Sequence, residues 1–127
     1  MEKRCVVSTS GPPAAGPYSS AVAAGDLLFV SGQVALAPDG SGPMKGSFEQ
    51  EARRALDNLK AVLEDAGSDL AHVVKVTVFL ADMERFGEFS QIYKTYFTAE
   101  CPARTCVQAG RLPLDFQVEV EAIAVLP

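Results

Sequence analysis

At 127 residues with 48% hydrophobic content, the chain is long enough to bury a core without disulfides or metals, and residues 1–127 fit a single domain. A net charge of −5, with Lys and Arg scattered along the chain, lacks the basic stripe by which proteins grip nucleic acid. Three cysteines without Cys-x-x-Cys spacing and a single histidine, His72, exclude a histidine-rich metal site and favour reduced thiols over a disulfide framework.

Met1 to Val7 has no secretory apolar core, and the apolar run from Ala21 to Val30 is interrupted by Gly25-Asp26, so the chain reads as soluble and cytoplasmic, with no membrane contact. A first short strand is expected over residues 4–7, followed by a Ser-Thr-Ser-Gly-Pro-Pro loop that cannot be helical. Strands over 19–24 and 27–34 form a hairpin at Gly25-Asp26. Ser47-Phe-Glu-Gln50 matches a capping box and opens a helix. Phe48, Ala52, Ala55, Leu56, Leu59, Val62, Leu63 and Ala66 supply its apolar stripe, and Gly67 its stop.

The β-branched run Val73 to Leu80 reads as a central strand with Val74, Val76, Val78 and Leu80 on one face. Residues 86–97 carry Phe86, Phe89, Ile92, Tyr93, Tyr96 and Phe97 at helical spacing, an aromatic stripe that suits core packing. Strands are expected over 104–109 and 116–125, the second alternating Phe116, Val118, Val120, Ala122 and Ala124 with polar residues. The order β-β-β-α-β-α-β-β predicts an α+β fold whose mixed sheet carries both helices on one face. Leu27, Phe29, Val73 and Phe79 then leave the other face too apolar for water, which points to self-association.

Few residues suggest chemistry. Arg104 follows a proline and opens a strand, so its guanidinium is held by regular backbone and could grip a carboxylate through two parallel hydrogen bonds, although many arginines in such places only face solvent. Glu119 on the alternating last strand could be an acid or base, or one polar residue of an outer face. Cys106 shares a strand face with Arg104 but has no histidine nearby to activate it. Tyr18, in a stiff Gly-Pro-Tyr loop, could wall a pocket or simply pack. Ser31-Gly32-Gln33 is not the Gly-x-Ser-x-Gly elbow of a serine hydrolase, and Gly32 could instead offer a backbone N–H. His72 reads as structural or solvated.

Six blocks in order carry a resemblance: Gly16-Pro-Tyr-Ser19, Ser31-Gly-Gln33, Asn58-Leu-Lys-Ala-Val-Leu63, Val73-Val-Lys-Val-Thr-Val-Phe-Leu80, Pro102-Ala-Arg-Thr-Cys-Val107 and Arg111-Leu-Pro113. From Pro12 to Val125 the chain resembles the RidA/YjgF family of enamine/imine deaminases, also labelled endoribonuclease L-PSP. The resemblance implies a chorismate-mutase-like fold, a homotrimer with ligand sites in clefts between subunits, and no metal or organic cofactor. It implies hydrolysis of 2-aminoacrylate, 2-iminopropanoate and 2-iminobutanoate to 2-oxo acids and ammonia. In it Arg104 anchors the substrate carboxylate, Glu119 positions water, Gly32 and Cys106 make backbone contacts, and Tyr18 and Ser31 line the pocket. Ser90 stands where an asparagine is common and Ser20 where a glutamine is common, and the loop before Pro102 is short. These departures bear on substrate range. The alternatives to a deaminase are an endoribonuclease or translation inhibitor, and a sensor that binds a small carboxylate without turnover.

Overall fold

The computed structural model describes residues 1–127. Eight principal elements run along the chain: β1 Lys3–Val6, β2 Ala21–Ala24, β3 Leu27–Gln33, α1 Phe48–Asp65, β4 Val73–Leu80, α2 Phe86–Tyr93, β5 Ala103–Gln108 and β6 Val118–Val125. They form one six-stranded sheet in the order β1-β2-β3-β6-β4-β5. Every neighbouring pair is antiparallel except β4 and β5, which run parallel and are joined through α2. No helix is long and apolar enough to cross a membrane.

Both helices cover the same face of the sheet, as expected. The capping box at Ser47 and Gln50 is formed in both directions, and every residue of the α1 apolar stripe is buried. This stripe meets Val76, Val78 and Leu80 of β4 and the even-numbered residues of β6 in one core, which Phe89, Ile92 and Tyr93 of α2 complete. The second helix is shorter than its aromatic period predicts. It ends at Tyr93, and the chain turns through Thr95 and Tyr96, where the Thr95 hydroxyl donates to the Ile92 carbonyl at 2.6 Å. Competition from such local side-chain bonds ends a helix without disturbing the burial of Phe97. The last strand begins at Val118, two residues later than expected, because Phe116 turns into a small separate cluster with Val34 and Ala35.

Two bulges reset the strand alternation. Between β4 and β6, Val73 pairs with Ala124 and Lys75 with Ile123, so one extra residue sits in β4. Val73 is therefore 5% exposed and Val74 45% exposed, the reverse of the strict alternation expected from sequence. The open face consequently carries Leu27, Phe29, Val74 and Val107 as exposed apolar residues. Between β3 and β6, Val30 pairs with Ala122 and Gln33 with Val120, which places an irregularity at Ser31-Gly32.

The loop after β1 is tied to the end of α1 by Asp65. Its carboxylate accepts from the hydroxyls of Ser8 and Ser10 at 2.7 Å each and from the backbone N–H groups of Thr9 and Ser10 at 2.9 Å each. Burial alone would raise the Asp65 pKa, but the Ser10, Ser8 and Thr9 donors outweigh it and hold the value at about 2, below the ordinary 3.8. A depressed folded-state pKa means this stabilisation is present above the ordinary value and is lost as pH falls from about 4 to about 2. With allowance for solvent at this exposed carboxylate, Asp65→Ala is expected to cost about 1–2 kcal/mol at pH 7. Urea unfolding at pH 7 and below pH 2 checks this, since the difference from the parent chain should close in acid.

Candidate functional site

The bulge in β3 builds one half of the site. It turns Gln33 inward, where its amide donates to the Ser31 carbonyl at 3.1 Å, and leaves Ser31 and Gly32 accessible. The Ser31 hydroxyl donates to the Ser19 carbonyl at 2.6 Å, so the oxygen keeps its acceptor capacity for a ligand. Gly32 is required by close approach: a Cβ here would overlap Glu119 Oε2 and lie 2.9 Å from its carboxyl carbon. Glu119 thus rests directly on the Gly32 backbone. Tyr18 is fixed in its loop by the Ala15 N–H, which donates to the phenol oxygen at 3.2 Å.

Tyr18, Ser31, Gly32 and Glu119, which lie far apart in sequence, line one cavity of about 480 Å³. Its other wall is apolar, formed by Ala15, Val34, Leu36, Pro113, Leu114 and Phe116. Burial pushes the Glu119 pKa up, and the neighbouring Glu121, which also lines the cavity, adds to the effect. A carboxylate that holds its proton more tightly than usual beside an enclosed space is a stronger base than a solvated one. The far rim is strained: Leu114 and Asp115 both have left-handed backbone, φ 53° and φ 57°. That conformation costs non-glycine residues roughly 1–2 kcal/mol each. It is pinned by a bidentate pair from Arg111 to Asp115, at 2.7 and 3.2 Å, and by burial of Leu112 and Phe116 on either side.

Arg104 lies elsewhere. In the ladder it pairs with Val76, and Cys106 pairs with Val78, so both side chains are on the helix-covered face at the sheet edge. Glu119 pairs with Phe79 and projects from the opposite face. Within one chain Arg104 and Glu119 are thus separated by the sheet.

The Arg104 guanidinium is caged by α2. Its carbon sits 4.7 Å from the centre of the Tyr93 ring and 5.3 Å from that of Phe86, and one terminal nitrogen donates to the Ser90 hydroxyl at 3.1 Å. Tyr93 in turn stacks on Phe97 at 4.5 Å. Its phenol oxygen is buried without a hydrogen-bond partner, and burial pushes its pKa up to about 12 despite the opposing Arg104 charge. This keeps the ring neutral and its face available to the cation. Ser90 uses one of the five guanidinium N–H groups, so a bidentate edge can still meet a carboxylate. Burial raises the Cys106 thiol pKa, with Arg104 opposing, which disfavours the thiolate that a nucleophile would need.

The aromatic stripe of α2 was legible as core, but its role as a guanidinium platform was not. The signal was the coincidence of an aromatic helix with the strand that follows it in a βαβ unit, which brings Tyr93 and Arg104 together. His72 is structural, bonded through Nδ1 to Asp69 at 2.7 Å. No group of three or more His, Cys, Asp or Glu side chains comes together as a metal cage.

The family model described as Endoribonuclease L-PSP matches residues 8–126. The chain belongs to this family, RidA/YjgF. It is 49% identical over 123 residues to a mouse protein named 2-iminobutanoate/2-iminopropanoate deaminase, covering 96% of this chain and 91% of that one. Among solved structures of the family, the YjgF gene product of Escherichia coli matches at TM-score 0.92 and 37% identity, over 98% of this chain and 99% of that one. TdcF of the same organism, solved with bound serine, matches at TM-score 0.91 and 37% identity, over 96% of this chain and 98% of that one. The RidA/YjgF fold expected from the sequence is therefore the observed one.

Proposed function

We propose that this RidA/YjgF protein is an imine deaminase that hydrolyses 2-imino acids to 2-oxo acids and ammonia, in a site completed by a second copy of the chain. The observation that carries this reading is the convergence of Tyr18, Ser31, Gly32 and Glu119 on one cavity, with the acidic residue desolvated. The deaminase name of the mouse relative supports the same chemistry. Because Arg104 and Glu119 lie on opposite faces of the sheet, a single ligand could touch both only if they came from different subunits. The exposed apolar residues Leu27, Phe29, Val74 and Val107 favour burial of the open face against other copies, in keeping with a homotrimer.

In this mechanism Arg104 of one subunit holds the substrate carboxylate through two parallel charge-assisted hydrogen bonds. That places the C=N carbon in the neighbouring subunit's cavity. Glu119 accepts a proton from water as the water oxygen bonds to the carbon of the protonated imine and the C=N π electrons move to nitrogen, giving a neutral carbinolamine. Glu119 returns that proton to the amine nitrogen, the C–N bond breaks, and ammonia leaves as the hydroxyl gives its proton back to Glu119 to form the 2-oxo acid. Cys106 and Gly32 contribute backbone, Ser31 an acceptor oxygen and Tyr18 a wall.

The test is direct. Purified protein added to 2-iminobutanoate, generated in place by a threonine dehydratase, should release 2-oxobutanoate faster than the spontaneous reaction. No acceleration at micromolar protein would sink the proposal. The description of the family model favours an endoribonuclease as the second reading. The scattered Lys and Arg and the charge of −5 weigh against it. Cleavage of RNA that tracks with this chain through purification, alongside inactivity on the imine, would favour it. Tight binding of 2-oxobutanoate without turnover would identify a sensor.

A further inference from the structure

The apolar wall of the cavity has no part in the hydrolysis just described. Leu114 stands out on it: an apolar side chain, 60% exposed, on left-handed backbone that glycine or asparagine would adopt with less strain. Its position is enforced from both sides by the Arg111–Asp115 pair and the burial of Leu112 and Phe116. Leu114 does not pack into either core cluster.

Leu114 also sits where two cavities meet. Together with Ala15 and Leu36 it borders both the Glu119 cavity and a second one, of about 370 Å³, walled by Pro12, Pro13 and Pro43. The two concavities, of about 480 and 370 Å³, share these three apolar residues, so the apolar surface beside Glu119 extends further than a four-carbon acid needs. The carboxylate and C=N group of a substrate would be held at the polar end by Arg104 and Glu119. What remains of the groove contacts whatever follows the imine carbon, and apart from Glu121 its lining is mostly apolar.

We infer that Leu114 is a specificity residue and that the site favours 2-imino acids with bulky apolar side chains, such as isobutyl, over the ethyl group of 2-iminobutanoate. The inference rests on the deaminase reading above. An apolar side chain laid against Leu114 and Leu36 leaves water in the bound state, and each further methylene adds to binding, whereas an ethyl group leaves the far wall wet. Supply of such an imine calls for a reaction that oxidises the corresponding amino acid at its Cα–N bond, because dehydration of serine or threonine yields only the short imines.

The experiment compares two imines made by one L-amino-acid oxidase, from leucine and from 2-aminobutyrate, with catalase present and semicarbazide trapping the unhydrolysed imine. The native protein should show kcat/KM for the isobutyl imine about tenfold above that for the ethyl imine, the discrimination available to a few methylenes in an apolar pocket. Leu114→Asn and Leu114→Gly both suit the backbone, so they should fold with equal or higher Tm while the ratio falls toward one. A native preference for the ethyl imine, or a ratio unchanged in both variants, overturns the inference while leaving the deaminase reading standing. Loss of assembly on size exclusion with no change in ratio also overturns it, since Leu114 would then serve an interface between copies. If the native protein accelerates neither imine, both readings fall together.

Discussion

Arg104→Ala is expected to lower imine hydrolysis by at least about a hundredfold, on the order of 3 kcal/mol of transition-state binding, with the fold preserved. The loss follows from the chemistry of the anchor. A carboxylate held by two charge-assisted bonds is positioned as well as bound, and without it the imine carbon no longer stands before Glu119. The fold should survive because Arg104 is on the edge strand and contacts α2 only through the faces of Phe86 and Tyr93 and the Ser90 hydroxyl. Arg104→Lys should recover little, since an ammonium offers a point charge where the cage presents a planar fork. The coupled dehydratase assay on both variants, with circular dichroism as the control for folding, decides the matter. Near-normal turnover by Arg104→Ala would remove the residue from the site.

Glu119→Gln is expected to lower kcat by a factor on the order of 10² to 10⁴, the usual contribution of a positioned base, and to reveal the electrostatic state of the cavity. Burial first, and Glu121 second, raise the Glu119 pKa. The acid limb of the rate profile should therefore fall above the ordinary carboxylate range, as Glu119 takes up its proton. Glu121→Gln should move that limb to lower pH. Stability changes in the opposite sense. A group whose pKa rises on folding contributes stability that is fully present below its unfolded value and is lost as pH rises through the folded value. At pH 7 the buried carboxylate opposes folding, so Glu119→Gln should melt at a higher temperature than the parent chain, and the difference should vanish toward pH 4. Melting curves at the two pH values test this independently of any substrate. A variant that is less stable at pH 7 would mean that Glu119 is held by a partner instead of being left desolvated.

The positions easiest to read from sequence were those whose environment is set by near neighbours. The capping box at Ser47 and Gln50, the stripe from Phe48 to Ala66 and the even-numbered face of β6 all follow from periodicity, and all are found as expected. Val73 and Val74 occupy the faces opposite to those strict alternation predicts, because a bulge is a feature of the pairing between two strands and β4 alone carries no sign of it. The same holds for Ser31-Gly32: a need for close approach at Gly32 was visible, but the group that approaches, Glu119, is 87 residues away in sequence and meets it only through the β3–β6 pairing. Tyr93 reads as core by its spacing, and it is buried. That it also carries the Arg104 guanidinium depends on how α2 crosses between β4 and β5.

For this chain, then, residue order and type were enough to determine the order of helices and strands, the α+β class, the family, and the identity of the residues proposed for chemistry, because each rests on local period or on blocks of adjacent residues. Only the tertiary structure decided how those residues are grouped. It gathers Tyr18, Ser31, Gly32 and Glu119 around one cavity, and it places Arg104 on the other face of the sheet among aromatic rings. It also fixes Leu114 on strained backbone at the rim. The reason is physical: a strand's alternation gives a side chain two possible faces, but which face is covered, and by what, is set by hydrogen-bonded partners and packed helices distant in the chain.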